Sequence, residues 1–455
     1  MGINPKVFSS GSPYKILLKF AIPAMFSLLV AELYNMVDTF FVGRFIGPNA
    51  IAALTVAFPI QRFLIAIAFL IGVGASTYVS RSSGENSPEK IKSTIYNSLL
   101  LTIISLTLIP MILYFTRHGL LFNLGASNVT YELTNDYISI IFLGSLFQGI
   151  TIVCSYIMTA LGNSKITLYA NSLGAILNII IDYILVAHFN IGIEGAAIAT
   201  VFSQFVALVF VLYNFRTVVK HFNLKLGIKN VISTLDISLI KGLIAVGFST
   251  FVIEISDAVV AIVLNNLLIS SGGDTAIIMV GVITKISMFM FIAIIGISSA
   301  MQPIVAFNYG ARNTKRVKST VRASITTVTI VGFAFAGFLM YFAPGIIKLF
   351  LTDETLLPAT VKAFRICISL LPTVGFYYVG IYYYQAIEEA KKGFRLSLFR
   401  QIIIFIPLAV ILVKTIGIMG AWIAYPISDI ISAVFSFYLL SSTWKESPKA
   451  QTVTA

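Results

Sequence analysis

The chain reads as an all-α membrane protein: twelve transmembrane helices in two parallel six-helix repeats around a central cavity. Three observations predict this. Of its 455 residues, 58% are apolar and 11% charged, with a mean hydropathy of +0.94, whereas soluble domains are about a quarter charged. Apolar runs of ~20 residues or more recur from end to end, and in hydrocarbon such runs are helical, because every backbone donor and acceptor must be satisfied within the segment. Short motifs also recur at an offset of roughly 225 residues, the mark of an internal repeat.

This composition excludes a soluble globule and a disordered chain, since a disordered chain lacks apolar surface. It also excludes a disulfide scaffold: the two cysteines, Cys154 and Cys367, lie in separate apolar stretches and read as buried thiols.

The spans follow in order, each bounded by where lysine and arginine fall. The first, 14–42, is entered past Lys6, Lys15 and Lys19, and the second, 51–78, returns to Arg81, Lys90 and Lys92. The third and fourth, 93–116 and 133–161, return to Lys165. The fifth and sixth, 165–188 and 192–219, return to Arg216, Lys220, Lys225, Lys229 and Lys241. The seventh and eighth, 237–266 and 275–306, end at Arg312, Lys315, Arg316, Lys318 and Arg322. The ninth and tenth, 317–342 and 359–387, end at Lys391, Lys392, Arg395 and Arg400. The last two, 394–414 and 417–441, end at Lys445 and Lys449. The opposite side carries Arg44, Arg117, Lys348 and Lys414. Both termini are therefore expected in the cytoplasm of a multi-pass cell-membrane protein. The net charge of +13 is chiefly a topology signal, which removes nucleic acid as a partner and leaves the lipid bilayer. A start containing Pro5 and Pro13 before a long span does not look like a cleaved signal peptide.

The repeat divides the chain into a first lobe, 1–219, a basic linker, 220–236, and a second lobe, 237–455. Phe26-Ser27 and Glu32 recur as Phe248-Ser249 and Glu254; Lys92-Ser93-Thr94 recurs as Lys318-Ser319-Thr320; the Gly192 to Ala199 segment recurs as Gly417 to Ala424. With an even number of spans per half, both halves enter the membrane in the same direction, and two such bundles can rock about a central cavity, the geometry of alternating access. Transport is the natural inference.

An ionisable side chain within the hydrocarbon costs ~2.5–3.5 kcal/mol on insertion scales, so each is a functional hypothesis until a partner is found. Asp38 and Asp182 stand roughly 7 and 9 Å from the outer ends of the first and fifth spans, in one layer. Tyr34 and Asn178 each precede an aspartate by four residues on the same helical face, and Tyr137 and Thr200 enter the same outer third. Two carboxylates in a poorly hydrated site repel and desolvate, so at least one is expected to exchange protons in the physiological range. The same oxygens, with the Asn178 amide and the Thr200 hydroxyl, would equally cage a sodium ion, and the choice of ion stays open. Snorkelling of the aspartates at a helix end is the structural alternative.

Glu32 and Arg62 share one depth, matched in the second half by Glu254 and Lys285, which suggests one structural acid–base pair per half. Asp257 is left over for a cation or substrate site, and Asp429 has no evident partner. Tyr378 and Tyr382, on one face of the tenth span, together with Met25 and Met36, are candidates for lining a substrate cavity. Enzyme signatures are missing: His118, His188 and His221 have no metal-ligand spacing, Gly72-Val-Gly74 follows no strand, and there is no phosphate loop.

With these residues assembled, the chain resembles the multidrug and toxic compound extrusion family over nearly its whole length. The resemblance rests on Tyr34-x-x-x-Asp38 after a kinking Pro23, Gly43-Arg-Phe-Ile-Gly47, and Asn178-x-x-x-Asp182 followed by Gly192-x-x-Gly195-Ala-Ala. The aspartate placement is most similar to the branch of DNA-damage-inducible F proteins and archaeal members. The resemblance implies coupling to H+ or Na+ in the first lobe through Asp38, Tyr137, Asn178, Asp182 and Thr200, with no cofactor, and export of cationic, often aromatic compounds. A helix 7 and helix 10 site of another branch is only half matched, since Glu254 and Asp257 have no carboxylate opposite them in the tenth span. The function expected is a monomeric efflux antiporter. The rival readings are a lipid-linked saccharide flippase and a non-transporting membrane scaffold.

Overall fold

The computed structural model describes residues 3–225, 234–351 and 354–446, and these form twelve helices long and apolar enough to cross a membrane. They are α1 (Pro13–Phe45), α2 (Pro48–Gly84), α3 (Pro88–Asn123), α4 (Tyr131–Ala160), α5 (Ile166–His188), α6 (Ile193–His221), α7 (Ile237–Gly273), α8 (Thr275–Gly310), α9 (Thr314–Lys348), α10 (Leu357–Ala386), α11 (Ala390–Ile416) and α12 (Ile418–Thr443). Every expected span is present, and most continue past the apolar run at one or both ends. Lys229 and Lys449, and the middle of the expected linker 220–236, lie outside the described residues.

Proline marks the starts of several helices, where its missing N–H leaves no bond unmade: Pro48 opens α2 and Pro88 opens α3. The left-handed backbone positions repeat. Gly47, Asn86, Gly162 and Gly192 correspond to Gly273, Arg312, Glu388 and Gly417, each pair 225 or 226 residues apart. The duplication visible in scattered side-chain identities is thus kept in the turns of both halves.

By contacts the chain forms two compact units, one of Met1–Ser10 and Phe26–Glu254, the other of Gly11–Met25 and Ile255–Ala455. The division falls inside α1, two residues after Pro23, and inside α7. In the first unit the most apolar windows of α2, α4 and α6 are 56% buried, against 17% for α3 and 22% for α5, so the even-numbered helices form the interior and α3 and α5 lie at the periphery. Ile71 on α2, Ile138, Val153 and Ile157 on α4, and Val211 and Phe215 on α6 belong to this core. In the second unit α8 and α10 are the most buried helices.

Two glycines set the approach of α7 to α2. A Cβ on Gly247 would overlap the Leu70 carbonyl, and one on Gly74 would overlap the Leu243 carbonyl. Backbone meets backbone here, the close approach that small residues permit between membrane helices.

Candidate functional site: a buried acid pair in the first unit

Asp182 is the last residue of regular α-helix in α5, followed by a π-turn over Tyr183–His188. A π-turn resets the helical register and is common at functional sites. Its carboxyl is fully buried, as Asp38 on α1 nearly is, and the two carboxyl groups lie close enough to act on one another. Two carboxyl groups bond directly only when one carries a proton; otherwise a cation must bridge them. Two unit charges at 4 Å repel by about 4 kcal/mol at an effective dielectric of 20.

The surrounding groups hold this pair in place. Asn178, one turn before Asp182, donates from Nδ2 to Asp182 Oδ2 at 2.9 Å and accepts at Oδ1 from the Thr200 backbone N–H at 3.3 Å, the amide orientation that satisfies both ends. Tyr34 Oη donates to Thr200 Oγ1 at 3.3 Å. Tyr137, buried on α4, accepts from Gln61 Nε2 at 3.1 Å. Asp38 Oδ1 and Asp182 Oδ1 receive no hydrogen bond, and among the described residues no lysine, arginine or histidine pairs with either aspartate. Orphaned acceptor oxygens beside hydroxyl and amide groups, with no basic side chain paired to them, suit a proton or a small hard cation. All six residues singled out from the sequence for this layer meet here. Gln61 was missed, because a neutral amide inside an apolar helix carries no charge signal.

A second charged group lies in the same unit. Arg62 Nη2 is 3.4 Å from Glu32 Oε1, and its Nη1 is 3.4 Å from Glu254 Oε2. The expected pairing of Glu254 with Lys285 is therefore replaced: one guanidinium serves both glutamates, and Lys285 is exposed. The fork of five donors on arginine allows two acceptors, so one basic residue can satisfy a pair that symmetry assigned to two. Its guanidinium also lies 5.1 Å from the Phe58 ring centroid.

The MatE family model matches residues 23–184 and again residues 245–411, one stretch in each half. This chain belongs to the MATE family. It is 26% identical over 445 residues to the multidrug export protein MepA of Staphylococcus haemolyticus, covering 96% of this chain and 95% of that protein. To MepA of Staphylococcus aureus it is 25% identical over 442 residues, covering 95% and 94%. Among solved structures, the outward-facing conformation of a multidrug resistance MATE family transporter superimposes with a TM-score of 0.91 at 25% identity, over 98% of this chain and 99% of that one. A MOP superfamily transporter from Pyrococcus furiosus, described by the reversed polarity of its binding pocket, superimposes with a TM-score of 0.90 at 25% identity, over 98% and 99%. MATE proteins are multi-pass membrane transporters of small organic substrates, not enzymes.

In the second unit of this MATE chain, α11 carries a π-turn over Phe399–Phe405. It turns two consecutive side chains inward. Arg400 meets Asp429 on α12, with Nε at 3.0 Å and Nη2 at 2.9 Å from Oδ1, and Gln401 donates to Asp257 on α7. Two expectations are corrected. Asp429 has a partner, and Arg400 is not an inner-surface charge but a buried one. The sequence did contain a signal, since a mid-membrane aspartate requires a counter-charge and Arg400 lies inside the eleventh span. Tyr378 and Tyr382 are buried in this unit, Tyr378 against Phe291 at 6.3 Å. Met25 lies against Gly296, and Met36 is exposed.

Proposed function

We propose that this MATE protein is a secondary active antiporter that exports organic, cationic and aromatic compounds in exchange for H+ or Na+. The observation carrying this reading is the closeness of two buried carboxyl groups, Asp38 and Asp182, each with an acceptor oxygen that no other group satisfies. A proton would reside on one carboxyl. Sodium would instead be held by oxygens of Asp38, Asp182, Asn178 and Thr200, with Tyr34 and Tyr137 completing the shell. No cofactor is needed, because the ion gradient supplies the work: one charge moved through ~100 mV is worth ~2.3 kcal/mol, roughly a 50-fold concentration ratio. The ion drives a conformational change only by binding one state better than the other.

In this reading the lobes 1–219 and 237–455 alternate access with both termini in the cytoplasm, and the protein works as a monomer. Met25, Met36, Tyr378, Tyr382, Glu254 and Asp257 are the residues offered for contact with cargo. The multidrug export activity named for MepA supports the drug-like substrate class. A flippase for a phosphate-bearing headgroup needs free arginines, and Arg62 and Arg400 are both neutralised by carboxylates.

The deciding experiment is ethidium efflux from proteoliposomes under imposed proton or sodium gradients. Asp38→Asn and Asp182→Asn are each expected to abolish ion-driven efflux. Efflux at the wild-type rate in either variant would overturn the coupling assignment, and absence of efflux by the wild type under both gradients would favour the scaffold reading.

A further inference from the structure

Gln61 and Arg62 are consecutive residues of α2 that bond in different directions. Gln61 reaches Tyr137 on α4, while Arg62 bridges Glu32 on α1 and Glu254 on α7. Tyr137 in turn lies within electrostatic reach of Asp38, Tyr34 and Asp182. Because the Tyr137 oxygen accepts from Gln61, its own hydrogen is left to donate elsewhere. The groups facing Tyr137 are thus Gln61 from α2, Tyr34 and Asp38 from α1, and Asp182 from α5.

Neighbouring residues on a helix point about 100° apart, at 3.6 residues per turn. A rotation of α2 that releases Gln61 from Tyr137 therefore swings Arg62 away from its glutamates as well. Glu32 and Asp38 also share α1, so the ion site and the charge bridge are joined twice, once along α1 and once through α2. Arg62, Glu32 and Glu254 are each about a fifth to a quarter exposed, deep within helices where an ionised group must face water rather than lipid.

We propose that Gln61 is a positioning residue that transmits ion occupancy of the Asp38–Asp182 pair, through Tyr137 and α2, to the Glu32–Arg62–Glu254 bridge. This rests on the coupling role of the acid pair and says how that role reaches the rest of the lobe.

The test is ethidium efflux by the full-length protein in proteoliposomes, measured against proton or sodium concentration. Gln61→Met, close to glutamine in shape, and Tyr137→Phe should each shift the half-activating ion concentration three- to tenfold, and the double variant no further than the larger single. Gln61→Met should keep its KM for ethidium at saturating ion, a split that a merely structural role would not give. If Gln61→Met fails to fold, Tyr137→Phe removes the same acceptor and carries the test. Shifts that multiply in the double variant, or unchanged ion dependence in either single while Asp38→Asn abolishes it, would overturn the proposal alone. Ion dependence surviving Asp38→Asn would overturn the coupling reading, and this proposal with it.

Discussion

Arg400 Nη2 and Asp429 Oδ1 lie 2.9 Å apart, with side-chain exposures of 6% and 0%. Breaking such a pair leaves an uncompensated charge in a medium that cannot solvate it. Asp429→Asn and Arg400→Met should therefore each cost about 3–5 kcal/mol. Replacing both at once, Arg400→Met with Asp429→Leu, removes the desolvation cost together with the attraction and should recover most of that loss. Thermal unfolding in detergent reads all three, and additive losses in the double variant would contradict the pairing.

The bridge at Arg62 behaves differently because it is partly exposed and its distances are long. Each arm should contribute about 0–1 kcal/mol, so Glu32→Gln and Glu254→Gln are mild. Arg62→Gln is worse than either, since it leaves two carboxylates facing one another. An exchange of Glu32 with Arg62, which a simple pair would tolerate, places a new carboxylate beside Glu254 and should lower folded yield below that of Glu32→Gln. Yield by size-exclusion chromatography checks the ranking.

The crossing of α2 and α7 is set by glycine. Gly247→Ala would drive a methyl group into the Leu70 carbonyl, which neither backbone can vacate, at a cost of about 3 kcal/mol. Gly119 on α3 has open space around it, and Gly119→Ala should stabilise by about 0.5–1 kcal/mol through helix propensity alone. Melting temperatures moving in opposite directions would verify the close approach.

Thr200 presents Oγ1 to Tyr34 beside the acid pair. Thr200→Ser keeps that oxygen and should keep ion-driven ethidium efflux. Thr200→Val matches the shape but removes the acceptor, and the loss of one hydrogen bond, about 1–1.5 kcal/mol, should raise the half-activating ion concentration about tenfold.

Legibility followed the visibility of charge. Asp38 and Asp182 stood out because a carboxylate in an apolar run is costly enough to need a reason, and Tyr34 and Asn178 followed from helical spacing. Arg400 was misread because basic residues near a span's inner end ordinarily mark topology, and only the partner on α12 distinguishes a buried cation from a rim charge. Gln61 was invisible, since nothing in a neutral amide indicates which way it points. Glu254 was paired with Lys285 by assuming that the repeat conserves contacts, whereas the guanidinium of Arg62 serves both acids.

The amino-acid sequence by itself determined the twelve helices, their duplication, and the one-sided placement of an acid pair, because hydrophobic length, repeat and intramembrane charge are local or periodic properties. Only the tertiary structure decided which charges neutralise one another and where the compact units divide, inside α1 and α7 rather than at the basic connection between the halves. Ion pairing and packing depend on distances between segments far apart in the chain, and those are fixed only when the helices dock.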